Sequence, residues 1–340
     1  MKLTLTILTV FFLMISAGCE PKTHKKELSA TPGKAPSLNL GGQKKLLTVD
    51  FKEGETLRYR FVSEKYIELN WDPSKKSYQK SKGGIDKSSE SLKMVIAYTP
   101  VKVNPYGLTT IQATCESIKA SNTGRRSYGR DAVENLKGKS FTFTIDPAGR
   151  IEDYSQLENL IKETGKKAFR KKSTQGRIKE PDMIGDFTAT QWFLWDSISS
   201  IEKAVEGISI GQSWKSILSI PTPMVTKKAR DVTYTLSEIR QTEKGQLAVI
   251  KSSYSLSDSV GDWPMPYSGS FQMSGTFGFL RGYQFKDLEG KGEELFNIDA
   301  GRIEKYNQQY KVQVRASFPM GIGSNPLITI KQTLRMELLE

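Results

Sequence analysis

The chain has 340 residues, 37% of them hydrophobic, and a formal net charge of +13. That length suffices for one large β domain or two modest ones with their own cores. Two cysteines and one histidine exclude a disulfide scaffold and leave little for imidazole acid–base or metal chemistry.

In chain order, a single cation, Lys2, is followed by an apolar run from Leu3 to Ile15 that is too short for a permanent transmembrane helix. The run ends in Ile15-Ser16-Ala17-Gly18-Cys19. The segment resembles bacterial lipoprotein signals, with one departure: Ser16 stands where leucine is usual. The resemblance implies a signal peptide over 1–18, a mature protein beginning at a lipidated Cys19, and a place on a membrane of the cell envelope. An ordinary secretory signal and a retained anchor are the alternatives. Residues 19–45 are rich in Lys, Pro, Gly and Ser without apolar periodicity, which predicts a flexible tether. The single histidine, His24, falls in that tether, so the main domain holds no imidazole. In an exported protein the basic balance faces anionic lipid headgroups and envelope polymers rather than nucleic acid, or it simply maintains solubility.

Beyond the tether the pattern predicts a first β-rich half with helices over 46–206 and a second β-rich half over 207–340. Gly54 to Val62 alternates polar and apolar residues as a half-buried strand does. Asp72 to Ser91 is dominated by Lys, Ser and Gly and reads as an exposed loop. Leu92–Val103 and Leu108–Ala120 read as strands joined by a tight turn at Asn104-Pro105-Tyr106-Gly107. Cys115 lies on the apolar phase of the second of these, and no histidine is near to activate it, so it is expected in the core. A capping-box pattern at Ser155–Glu158 predicts a helix, and a second helix over 182–205 carries Trp192, Phe193 and Trp195 on more than one face. Ser270–Phe285 and Leu327–Leu338 alternate strongly as strands. The expected fold is mainly β with a few helices, an α+β arrangement of antiparallel meanders in two related halves, with curved sheets packed against the aromatic helix.

An internal repeat supports that plan. Phe143-Thr144-Ile145-Asp146, continued by Ala148-Gly149-Arg150-Ile151-Glu152, returns as Phe296-Asn297-Ile298-Asp299 and Ala300-Gly301-Arg302-Ile303-Glu304, with Pro147 dropped. Each copy has hairpin-turn chemistry, in which Asp146 or Asp299 is expected to cap its own backbone. The lipobox, the lysine-rich tether, the Gly54–Tyr59 strand and the Phe143–Asp146 hairpin together resemble an uncharacterised family of exported bacterial lipoproteins over nearly the whole chain. The resemblance implies a location and a β-rich fold but no reaction. A second likeness, of architecture alone, is to periplasmic lipoprotein carriers whose curved sheets cup acyl chains against a helix.

Catalytic signatures are absent. Ser77/Lys80 and Ser200/Lys203 have S-x-x-K spacing without its companion motifs, and Glu293-Glu294 has no partner group in the sequence. Hence no catalytic residue, cofactor or metal is expected. The functional expectation is a non-enzymatic, membrane-tethered protein binding a hydrophobic or amphiphilic envelope ligand, with Trp192, Trp195, Trp263 and Tyr267 as candidate contacts. Core filling is the plainer reading for the helix tryptophans. The alternative is a structural or interaction protein presenting Lys166, Lys167, Arg170, Lys171 and Lys172 to another envelope component. A solvated helix end is the plainer reading for that run.

Overall fold

The computed structural model describes residues 44–73, 84–123, 132–145, 151–157, 159–160, 163–164, 206–220, 228–260, 281–317 and 325–339, all within one compact unit from Asn39 to Glu340. The described chain forms β1 (Leu57–Asn70), β2 (Ile85–Val103), β3 (Thr109–Thr123), β4 (Ser140–Ile145) and β5 (Ile151–Asp153) from the first half. The second half supplies β6 (Ser213–Ser219), β7 (Lys228–Thr242), β8 (Gly245–Val260), β9 (Arg281–Asn297), β10 (Arg302–Ser317) and β11 (Leu327–Leu339). All eleven belong to a single antiparallel sheet in the order β5-β4-β3-β2-β1-β11-β10-β9-β8-β7-β6.

This corrects the α+β expectation. The described part of the chain is nearly all β. Among the described residues helix is confined to the 3-10 segment Ala132–Leu136 and to helical residues at 155–157, 159–160 and 163–164. The expected pair of sheets is one sheet, because β1 pairs with β11 along its length, from Arg58 opposite Leu339 to Asn70 opposite Leu327. That pairing joins the first and last strands edge to edge, and local periodicity carries no trace of it. The aromatic helix expected over 182–205 lies outside the described residues.

Alternation sets the two faces. Along β1, Tyr59, Phe61, Ser63, Lys65, Ile67 and Leu69 are buried while the residues between them are half-buried or exposed. The same period runs through β2, β10 and β11. The buried phase forms one apolar core with Met94, Ile96, Tyr306, Val312, Ile330 and Met336 among its members. A chain segment before β1 closes one end of this core: Leu47 is fully buried, and Val49 and Phe51 pack on the same cluster. It is held by backbone bonds from Asp50 N–H to Gly301 O at 2.9 Å and from Gly54 N–H to Pro100 O at 2.8 Å.

The expected turn between β2 and β3 is present. Asn104 Oδ1 accepts from the amides of Tyr106 and Leu108 at 2.9 and 2.7 Å, and Gly107 takes a positive φ of 83°. The expected loop over 72–91 is shorter than its composition implied, since β2 starts at Ile85. Ser89 and Ser91 occupy the outward phase of β2, where small hydroxyl side chains fit a paired strand, while Ser88 lies on the inward phase opposite Ile67. Both copies of the repeated segment lie in antiparallel hairpins, β4–β5 and β9–β10. In the second copy Asp299 does not cap its own backbone: its Oδ2 accepts from Gln246 N–H at 2.8 Å, bracing the neighbouring β7–β8 turn, while Asn297 Oδ1 takes Ala300 N–H at 3.0 Å. Asp146 lies outside the described residues. Near β5, Asp153 accepts from Ser155 N–H at 2.9 Å, and that bond holds the Asp153 carboxyl below its ordinary range; Glu158, the other member of the expected capping box, lies outside the described residues.

Gly301 has φ of 58°, and a Cβ there would meet Asp50 backbone nitrogen at 2.7 Å. Gly54 also has a positive φ, 80°, but open space around it. Gly301→Ala is therefore expected to cost about 2–3 kcal/mol and Gly54→Ala about 1 kcal/mol. Urea denaturation of both variants tests the difference; equal costs would show that the Asp50 contact adds nothing.

Candidate ligand-binding site

The outward phase of six adjacent strands, β3-β2-β1-β11-β10-β9, lines a cavity of about 860 Å³. One bank carries Glu64, Ser91, Ser121, Thr333, Gln309 and Lys291; the other carries Tyr66, Ser89, Thr123, Lys331, Lys311 and Glu289. The register puts each bank in a row across the strands, with the row Lys65, Glu90, Gln332, Tyr310 and Gly290 between them. Because those intervening residues point into the buried face, their backbone forms the floor. Five strand spacings give the trough a length of about 24 Å, and the banks stand about 7 Å apart.

Polar end groups and the apolar stems of long side chains line it together. Hydroxyls, one amide, two carboxylates and three lysines line the banks, and Tyr66 supplies the main aromatic surface. Two ion pairs brace the walls: Lys311 to Glu289 at 3.1 Å and Arg335 to Glu64 at 3.3 Å. Ser89 and Thr123 hydroxyls bond to each other across β2 and β3.

Beneath the floor the buried face carries a belt of polar groups. Lys65 Nζ lies 3.5 Å from Glu90 Oε2, with side chains 0% and 4% exposed. Tyr310 donates to Gln332 Oε1, and Gln332 Nε2 donates to Ser63 Oγ at 2.9 Å. On β8 and β10 the hydroxyls of Ser252, Tyr254 and Tyr306 form a chain at 2.6 and 3.0 Å. The Arg230 guanidinium sits 4.8 Å above the Tyr254 ring. Tyr254 fits because β9 presents Gly290 and Gly292 to it; a Cβ on Gly290 would stand 2.8 Å from the Tyr254 ring. Burial pushes the Tyr306 hydroxyl well above its ordinary pKa, so it stays a neutral donor.

The candidate contacts Trp192, Trp195, Trp263 and Tyr267 lie outside the described residues, as do the basic run Lys166, Lys167, Arg170, Lys171 and Lys172, the lipidation candidate Cys19, and His24. Cys115 is where the sequence placed it, in the core opposite Ile96, and burial pushes its thiol up to about 12. Among the described residues no three His, Cys, Asp or Glu side chains gather as a metal site. Glu294 is buried in the core face while Glu293 is half-buried on the other, so the two do not form a paired site. Sequence reading missed the trough. Two signals pointed to its row: Lys65 interrupts an apolar phase, and Gly290-Lys291-Gly292 sits inside a strand.

No protein-family model matches the chain, and no curated protein matches it. It has a distant structural similarity to a solved structure described as "Lipid-protein interactions in lipovitellin", with a TM-score of 0.41 and 12% identity. The match covers 86% of this chain but 26% of that one. A likeness of this size carries no functional inference.

Removing one member of the buried ion pair strands the other charge. Lys65→Met is expected to cost about 3–5 kcal/mol, and Lys65→Met/Glu90→Leu to recover most of it. A double-mutant cycle by urea denaturation checks this, and additive losses would show that the two groups are not coupled.

Proposed function

We propose that this chain is an exported, lipid-anchored binding protein of the cell envelope, and that the trough receives the polar part of an amphiphilic envelope ligand. The trough itself carries the reading: a long concave surface across six strands, lined by groups that hydrogen-bond and pair with charge. A wholly apolar ligand would strip water from Glu289, Lys291 and Lys331 without replacing their bonds, which is costly. A headgroup replaces those bonds, and its tails extend beyond the banks. Tyr66 offers a flat apolar surface at the centre of one bank for the part of the ligand next to the headgroup. The address rests on the sequence, namely the short apolar run after Lys2 and the small residues leading to Cys19.

Two measurements test the proposal. Protein purified in mild detergent is extracted and its lipids identified by mass spectrometry; an amphiphile enriched in wild type should fall about ten-fold in Tyr66→Ala, and the absence of any enriched lipid from wild type would sink the trough reading. Separately, Cys19→Ala should lose metabolic fatty-acid label and leave the lipidated membrane fraction, whereas label that persists on this variant would rule out Cys19 as the acylated residue.

A further inference from the structure

The register of β1, β11, β10 and β9 sets Tyr66, Lys331, Lys311 and Glu289 side by side across one bank. Lys331 and Lys311 stand directly opposite each other, an arrangement in which like charges repel. Glu289 relieves Lys311, at 3.1 Å. Glu64, the other trough carboxylate on the outward phase, is taken by Arg335. Lys331 and Lys291 have no ion pair among the described residues. Lys291 lies opposite Gln309, the residue two before Lys311, so it is the diagonal neighbour of Lys311 across the trough. Three ammonium groups on three adjacent strands thus converge on one stretch of the cavity with a single carboxylate among them. Thr333, Ser89 and the Tyr66 hydroxyl also line this cavity and can donate hydrogen bonds there.

An excess of donors and positive charge inside a concave wall is the chemistry that recognises a phosphate group. We propose that Lys291, Lys311 and Lys331 form an anion subsite for the phosphate of an anionic lipid headgroup. The assignment rests on the trough being the amphiphile site. Bound there, the phosphate offsets the repulsion between Lys311 and Lys331, so the subsite is selective for an anionic over a neutral headgroup. A free phosphate shares this chemistry, and the test separates the two sources.

The same face provides a matched control. Lys93 and Lys119 stand directly opposite each other on β2 and β3, outside the cavity. The full chain in nonionic detergent is titrated calorimetrically with short-chain phosphatidylglycerol, with a short-chain diacylglycerol lacking phosphate, and with inorganic phosphate. Wild type is compared with Lys311→Gln/Lys331→Gln and with Lys93→Gln/Lys119→Gln, thermal melting confirming that each is folded. Phosphatidylglycerol affinity is expected to fall ten-fold or more in the first double variant and less than two-fold in the second. Equal losses in both variants, or none in either, would overturn the subsite. Lysine-insensitive binding of phosphatidylglycerol and diacylglycerol with equal affinity would overturn it too while leaving the amphiphile reading intact. Lysine-dependent binding of inorganic phosphate without either lipid would support the subsite and overturn the amphiphile reading.

Discussion

The pairing of β1 with β11 is the constraint on which the rest of the sheet depends. It joins Leu57–Asn70 to Leu327–Leu339 through backbone bonds along both strands. Without it the β1–β5 and β6–β11 meanders would each expose an edge strand with a full row of unpaired amides and carbonyls. The trough exists because of this junction, since its six strands lie three on either side of it. The loop closed by that contact is nearly the whole folded chain. Its entropic cost grows only slowly with length, so hydrogen bonding and core burial along two long strands can offset it.

What fixes the register of that junction is polar rather than apolar. A slip by one residue would turn every buried side chain outward, but a slip by two would keep the apolar phase. Here the buried polar row discriminates. Gln332 of β11 reaches Ser63 of β1 and receives Tyr310 of β10, and Lys65 of β1 meets Glu90 of β2. A two-residue slip between β1 and β11 would move Gln332 from its place opposite Lys65, and in the direction that sets it opposite Ile67 would break its bond to Ser63 in a dry environment. The glycines of β9 act in the same sense, because Tyr254 fits over Gly290 and Gly292 and not over a neighbour with a side chain.

The two faces of one row therefore have separate roles. Beneath the floor, charges are paired and hydroxyls are bonded, which locks the strands. Above it, the adjoining rows leave Lys291 and Lys331 without a carboxylate partner among the described residues, on the face that holds the trough. Rigid strands carry these groups, so the trough is preorganised, and a ligand gains contacts without ordering loops.

Local features of the chain were legible wherever local chemistry decides them. Alternation marked β1, β3 and β11, the Asn104–Gly107 turn was written in its residue types, and the place of Cys115 on the apolar phase of its strand, in no catalytic pattern, marked a core thiol. Asp299 was recognised as a turn residue, but its acceptor role goes to Gln246 on the adjacent turn, a neighbour in space and not in sequence. The trough was illegible for the same reason. Its lysines come from β9, β10 and β11, and nothing in the spacing of Lys291, Lys311 and Lys331 reveals that they line one trough, Lys291 on one bank and the other two facing it. The sequence by itself determined the period of each strand, the residues able to turn, and the shortage of histidine and cysteine chemistry, because these follow from side-chain type and backbone preference. Only the tertiary structure decided that both meanders form one sheet and that its outward face curves into a charged trough, because strand partners and register are set by contacts between residues hundreds of positions apart.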